Sequence, residues 1–304
     1  MTYNTPLYKI NHQSMPSLYI KRDDLFPITG GGNKGRKAQL ILKKCIEDGC
    51  NAVVTCGGIQ SNHTRATAIR CKELGLACTI VIHAKPIDKL KGNLKLLALL
   101  GVRVVYCEMQ DVSRVMDDEM MRFSRFGYKP FYIWGGGHCY EGTLSYFDAV
   151  KELRAQSDVK FDAVFVASGT GATQAGLHCG FRYFYPQARV YGISVARDKS
   201  RGFQAVSHSV EEFIKNNNLP LSYLNDIFFS DSAVCGGYEK ISKELIHTIK
   251  DTALKTGVML DPTYTGKAWL GMEKHIKERV VKPDANILFW HTGGLLNLMA
   301  ANEL

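Results

Sequence analysis

The 304-residue chain is 45% hydrophobic and 22% charged, the balance of a soluble protein long enough for one large or two ordinary domains. No apolar run approaches the roughly 18 residues of a membrane span, and the opening MTYNTPLYKINHQ lacks the apolar core of a signal peptide, so no membrane partner is expected and the cytoplasm is the expected location. A formal net charge of +9 implies mild attraction for anions, but the basic residues are scattered with no run of five or more, which argues against nucleic acid.

Taken from the N-terminus, the first informative stretch is Gly30-Gly31-Gly32-Asn33-Lys34-Gly35-Arg36-Lys37, read as a flexible polar turn between a short apolar stretch and an amphipathic helix. Glycine lets backbone approach a bound group closely. A lysine kept from water has a depressed pKa, as an imine-forming amine requires, so Lys34 is read as a Schiff-base lysine. Standing alone, such a segment is as readily a solvated basic loop.

Apolar runs predict strands at Ala52 to Cys56, Cys78 to His83, Val102 to Cys107, Phe131 to Trp134, Ala163 to Ala167, Val190 to Ser194 and Ile287 to Trp290. Helices are predicted at 37–48, 61–74, 89–100 and 112–126, each followed by a glycine stop signal, and further on around 141–156, 173–184, 238–256 and 266–278. The run Asn216-Asn217-Asn218 reads as a loop. This rhythm predicts an α/β fold of mostly parallel, twisted sheets flanked by helices, with ligands at the carboxyl ends of strands. Nine cysteines without a C-x-x-C pair predict reduced thiols rather than disulfides or structural zinc, and no metal site is expected.

Four strand ends carry unusual residues. Gly57-Gly58-Ile59-Gln60-Ser61-Asn62-His63 offers Ser61 as a helix cap with free amides beyond it for a carboxylate. Ser168-Gly169-Thr170-Gly171-Ala172-Thr173 opens a helix and presents N–H groups to an anion such as phosphate; its spacing fits neither the Walker nor the Rossmann pattern. Asp261-Pro262-Thr263-Tyr264-Thr265-Gly266-Lys267 leads into another helix, and His291-Thr292-Gly293-Gly294 closes the last strand. Each alone is compatible with turn chemistry. Together they supply an amine, a phosphate cradle and a second anion site, the needs of pyridoxal phosphate and an amino-acid substrate.

This ordered set of motifs, spread over essentially the whole chain, resembles the 1-aminocyclopropane-1-carboxylate deaminase and D-cysteine desulfhydrase family of pyridoxal-phosphate enzymes, in the tryptophan synthase β-like fold (fold type II). The resemblance implies two domains, a large one from 1–38 and 146–304 and a small one from 39–145 inserted in it, and a homodimer. It implies that Lys34 carries the cofactor and that Asn62 bonds its 3′-oxygen. The phosphate would lie on Gly169, Thr170, Gly171, Ala172 and Thr173 with Lys37 as counter-charge, and Thr265 and Thr292 would complete the cofactor contacts. Ser61, Asn62 and His63 would hold the substrate carboxylate, and Tyr238 and Tyr264 match two active-site tyrosines, although either could equally be an ordinary half-buried tyrosine.

Ring-opening deaminases of the family carry glutamate where this chain has Thr265 and glutamine where it has His63, so both positions match the desulfhydrase branch. The implied reaction is α,β-elimination from a small β-substituted amino acid, D-cysteine above all. In it the freed lysine takes the α-proton, a thiolate leaves, and aminoacrylate hydrolyses to pyruvate and ammonia. A β-replacement synthase, a 1-aminocyclopropane-1-carboxylate deaminase, and a dehydratase or racemase on the same scaffold stay open, as does a non-catalytic anion- or nucleic-acid-binding protein.

Overall fold

The computed structural model describes residues 3–11 and 16–304. Its strands are β1 (Leu7–Ile10), β2 (Ser17–Arg22), β3 (Ala52–Gly57), β4 (Ala77–His83), β5 (Arg103–Cys107), β6 (Pro130–Ile133), β7 (Ala163–Ser168), β8 (Arg189–Ser194), β9 (Phe228–Ser230) and β10 (Asn286–His291). Its helices are α1 (Asn33–Glu47), α2 (Asn62–Glu73), α3 (Gly92–Leu99), α4 (Val112–Arg125), α5 (Tyr140–Gln156), α6 (Ala172–Phe184), α7 (Lys199–Asn217), α8 (Lys243–Thr256), α9 (Thr265–Lys277) and α10 (Leu295–Ala300).

Two sheets result, of order β1-β2-β10-β7-β8-β9 and β5-β4-β3-β6. Only the β1–β2 pair is antiparallel, as the expected α/β class requires. β3 and β7 read as unbroken apolar runs because helices cover both faces. In the larger sheet α8 and α9 pack on one face around Trp269 and Phe289, and α5 and α6 on the other around Tyr146, Phe181 and Trp290. In the smaller sheet α1, α2 and α3 meet one face, while α4 fills the other with Val112, Met116 and Phe123.

All seven predicted strands occur. Two helical expectations change. Lys34 lies within the first turn of α1 rather than in a turn before it, because the chain becomes helical at Asn33 straight after Gly32. The helix expected from 238 starts at Lys243, where Ser242 caps it by accepting from the Leu245 N–H at 3.1 Å. α7 was not expected at all, and the Asn216-Asn217-Asn218 loop is its last turn, ended by Asn218 at φ 52°.

A buried ionic network fixes α1. The Asp23 carboxylate receives Arg36 Nη2 at 2.7 Å, Thr5 Oγ1 at 2.8 Å, Tyr146 Oη at 2.6 Å and Trp290 Nε1 at 2.8 Å. Arg36 Nη1 also reaches Glu152 at 2.7 Å, and Glu152 in turn pairs with the fully buried Lys21. Burial alone would raise the Asp23 pKa; the Arg36 charge and the bonds from Arg36, Trp290 and Tyr146 outweigh it and hold the carboxyl at about 2. Arg36 stands two residues beyond Lys34, so the network sets where that lysine sits.

Candidate active site

The carboxyl ends of β3, β7 and β10 open onto one cavity of about 500 Å³, the size of a small-ligand site. Lys34, Ser61, Asn62, His63, Gly169, Thr170, Gly171, Thr173, Tyr238, Tyr264 and Thr292 all line it. Lys37, Ala172 and Thr265 stand behind the wall. None of the residues lining the cavity is an aspartate or glutamate.

Lys34 Nζ donates to the Gly136 carbonyl at 3.0 Å, and Lys37 Nζ reaches the same oxygen at 3.4 Å. Burial lowers the Lys34 pKa to about 8. Burial and the Lys34 charge push Lys37 well below the usual lysine value. At pH 7 a pKa near 8 leaves about a tenth of the amine uncharged, against about 0.03% at the ordinary value. The folded-state pKa lies below 10.5, so folded apoprotein binds fewer protons than the unfolded chain between about pH 8 and 10.5, and the cost of burying this ammonium is relieved as pH rises through that window. The rate at which apoprotein captures pyridoxal phosphate, followed by its imine absorbance, should rise about tenfold from pH 7 to pH 9 and then level. A rate still climbing in proportion to hydroxide beyond pH 10 would exclude a depressed lysine.

α2 begins on this cavity because Ser61 caps it, its Oγ accepting from the Thr64 N–H at 3.3 Å. Asn62 Oδ1 accepts from Asn93 Nδ2 at 3.0 Å, which leaves the Asn62 amide group as a donor. His63 differs from expectation in its chemistry. Thr55 Oγ1 donates its one proton to the Ile133 carbonyl at 2.8 Å, so at 2.8 Å from His63 Nε2 it accepts, and Nε2 carries the imidazole proton. His63 Nδ1 is then a bare acceptor, buried without a partner. Burial, with Lys34 and Lys37 nearby, keeps the ring neutral by pushing its pKa well down. A lone pair repels a carboxylate and suits an N–H donor, so the donors near this end of the cavity are Ser61, Asn62 and the α2 amides.

On the opposite wall Gly171 adopts φ +106°, and a Cβ there would fall 3.0 Å from the Ala205 carbonyl, so only glycine turns the chain into α6 at this point. The first amides of α6 then face the cavity. Asn33 Nδ2 ties Thr173 Oγ1 to the start of α1 at 3.2 Å. Arg197 was not anticipated. It follows β8, lines the cavity, and its guanidinium grips the Gly169 carbonyl; the rule that ligands gather at carboxyl strand ends would have pointed to it.

Tyr238 and Tyr264 share a 2.6 Å hydroxyl–hydroxyl bond. Burial pushes Tyr238 to about 12 and raises Tyr264 well above the ordinary tyrosine value, so both phenols stay protonated at neutral pH. Thr265 is wholly buried; its hydroxyl donates to Asp261 Oδ1 at 2.8 Å and accepts the Asp261 N–H at 2.9 Å. Asp261 also receives the amides of Thr263 and Tyr264 and lies against Gly294. Thr292 is the hydroxyl that reaches the cavity from this side.

A buried amine, an anion cradle at a helix start and a cationic lining without a carboxylate, set at parallel strand ends, define an enzyme that works through a phosphorylated carbonyl cofactor. The profile of the family described as pyridoxal-phosphate dependent enzyme matches residues 1–293, and the chain belongs to that family, with pyridoxal phosphate as its cofactor. It is 34% identical to the D-cysteine desulfhydrase of Yersinia enterocolitica serotype O:8 / biotype 1B, over 97% of this chain and 93% of that one. The D-cysteine desulfhydrase of Serratia proteamaculans strain 568 matches equally, at 34% over 97% and 93%. A solved structure described as the ACC deaminase homologue superposes with a TM-score of 0.90 at 31% identity, covering 98% of this chain and 92% of its own. The residues present fit the cofactor: Ser168 Oγ is buried with no partner at the mouth of the α6 turn, and the cations around it lack a counter-charge. Among the described residues no helix is long and apolar enough to cross a membrane, and all nine cysteines are free thiols.

Proposed function

We propose that this enzyme is a lyase that eliminates the thiol of D-cysteine, releasing sulfide, pyruvate and ammonia. One observation carries the reading: the cavity that holds Lys34, the α6 turn and the tyrosine pair has no acidic residue in its lining. With no carboxylate in the lining to pair with its ring nitrogen, the cofactor would be a weaker electron sink here, sufficient for a substrate with a removable α-proton and a good leaving group. The two desulfhydrase relatives support the same substrate class.

Pyridoxal phosphate, when bound, supplies the electron sink that acidifies the substrate's α-carbon. Lys34 would hold it covalently. Gly169 to Thr173 with Arg197 would hold its phosphate, with Lys37 behind the wall as a counter-charge, and Asn62 and Thr292 its ring. Ser61, Asn62 and the α2 amides orient the substrate carboxylate, while His63 Nδ1 accepts from an N–H. Lys34 Nζ, once free, takes the α-proton. The carbon–sulfur bond breaks with its electron pair on sulfur, and Tyr264, backed by Tyr238, donates the proton that the departing thiolate accepts. Water then converts the released enamine to pyruvate and ammonia, so D-cysteine and one water account for all three products.

Ring opening of 1-aminocyclopropane-1-carboxylate is the second reading, raised by the ACC deaminase homologue. That substrate has no α-hydrogen and leans on a stronger sink, which this lining does not favour. Incubating holoenzyme with each compound should give sulfide, pyruvate and ammonia from D-cysteine at least about a hundredfold faster than 2-oxobutyrate from the cyclopropane acid, a difference of about 2.7 kcal/mol in barrier. Robust 2-oxobutyrate with no sulfide from either cysteine enantiomer would reverse the assignment, and products incorporating an added nucleophile would make it a β-replacement synthase.

The reading includes a small domain at residues 39–145, supported by the smaller sheet drawing all its strands from 52–133. It places the enzyme in the cytoplasm, in keeping with the free thiols, and pairs it as a homodimer, which light scattering tests.

A further inference from the structure

Lys267 is fully buried, yet no carboxylate lies within ion-pair distance of it among the described residues. Its Nζ donates instead to three backbone carbonyls, Gly237 at 2.7 Å, Val234 at 3.0 Å and Val195 at 3.2 Å. An ammonium has three donors, and all are used. Carbonyl dipoles converging on one positive charge are how proteins hold a desolvated monovalent cation.

The three carbonyls belong to two separate segments, each of which reaches the cavity wall. Val234 and Gly237 bracket the turn that delivers Tyr238. Val195 stands two residues before Arg197. Lys267 itself is the third residue of α9, directly beyond Tyr264. The Tyr238 turn is strained: Cys235, Gly236, Gly237 and Glu239 all have positive φ, at 56°, 86°, 138° and 58°, conformations that non-glycine residues seldom adopt, and its backbone bonds, from the Gly237 N–H to the Val234 carbonyl and from the Lys240 N–H to the Gly237 carbonyl, each 3.2 Å, are local. Cys235 anchors the start of the turn on the core, but a Cβ at Gly236 would meet nothing within 4 Å, and one at Gly237 only the Lys240 side chain at 3.7 Å, so packing is open at the two residues before Tyr238.

We propose that Lys267 is a positioning residue whose ammonium serves as a built-in monovalent cation, clamping the Tyr238 turn so that the Tyr238 hydroxyl meets Tyr264. The proposal rests on the elimination reading only for the use made of Tyr238.

The test compares holoenzyme carrying Lys267→Ala, Lys267→Met, Tyr238→Phe and the Lys267→Ala/Tyr238→Phe double change. Lys267→Ala should lower kcat at least about tenfold, and the double variant should lie within about threefold of the slower single variant, since both changes act through one hydroxyl. Ammonium or potassium chloride should restore turnover and raise the melting temperature of Lys267→Ala, by occupying the vacated carbonyl cage. Tetramethylammonium, too large for the cage, should do neither, and Lys267→Met, whose side chain fills the space, should not be rescued. Additive losses in the double variant, or no cation selectivity in rescue, would overturn the clamp. Wild-type enzyme gives an arm that does not depend on the variants folding: exchanging sodium for potassium, ammonium or tetramethylammonium should alter neither turnover nor melting temperature, and a strict requirement for one cation would overturn the proposal. The melting arms need no substrate, so they report on Lys267 even if D-cysteine proves not to be turned over.

Discussion

Lys34→Ala is expected to lower turnover by on the order of 10⁴-fold or more, because it removes both the covalent hold on the cofactor and the group that takes the α-proton. The variant should fold, since truncation deletes a buried ammonium and leaves the Gly136 carbonyl within 3.4 Å of Lys37 Nζ. Lys37 cannot substitute, because it lies behind the cavity wall rather than in it. Borohydride reduction of the wild-type holoenzyme followed by peptide mapping should place the pyridoxyl label on Lys34. Label on Lys37 or elsewhere would refute the assignment.

Asp23→Asn should cost about 3–5 kcal/mol of stability, the usual penalty for removing one member of a buried ion pair. The substitution keeps the shape of the side chain but leaves Arg36 with Glu152 alone, and it removes the charge that Tyr146 and Trp290 address. Urea unfolding monitored by fluorescence measures the loss; a change below about 1 kcal/mol would mean that Glu152 suffices. The same carboxylate has a pH signature. Its pKa is about 2 in the fold against an ordinary 3.8, so its contribution is fully present above pH 3.8 and is lost as pH falls through 2. In Asp23→Asn that segment of the acid unfolding curve should flatten.

The alternation of strand and helix was legible because seven strands are long apolar runs and glycine ends four of the early helices. What was missed has physical causes. β2 was hidden by Lys21, which pattern reading counts as exposed, whereas Glu152, Gln156 and the Thr5 carbonyl pay for burying it. α7 carries Val206, Val210, Phe213 and Ile214 at helical spacing, a signal obscured by its asparagine-rich end. In the site, eleven of the fourteen residues that the family resemblance implied lie on the cavity, but a resemblance of motifs does not disclose where a hydroxyl spends its proton. Thr265 gives its own to Asp261, and Thr55 fixes the His63 tautomer from a neighbouring strand. Arg197 belongs to no motif, and in the sequence only its place just after the β8 strand points to it; its bond to Gly169 needs the fold.

The chain passes from the larger sheet to the smaller through α1 and returns through Gly135-Gly136-Gly137. Lys34 stands on the outward crossing and Gly136 on the return, and the 3.0 Å bond between them joins the two crossings inside the cavity, with Lys37 reaching the same carbonyl from behind. The reactive nitrogen is thus tied to both crossings at once, between the wall that carries Ser61 and the wall that carries Gly171.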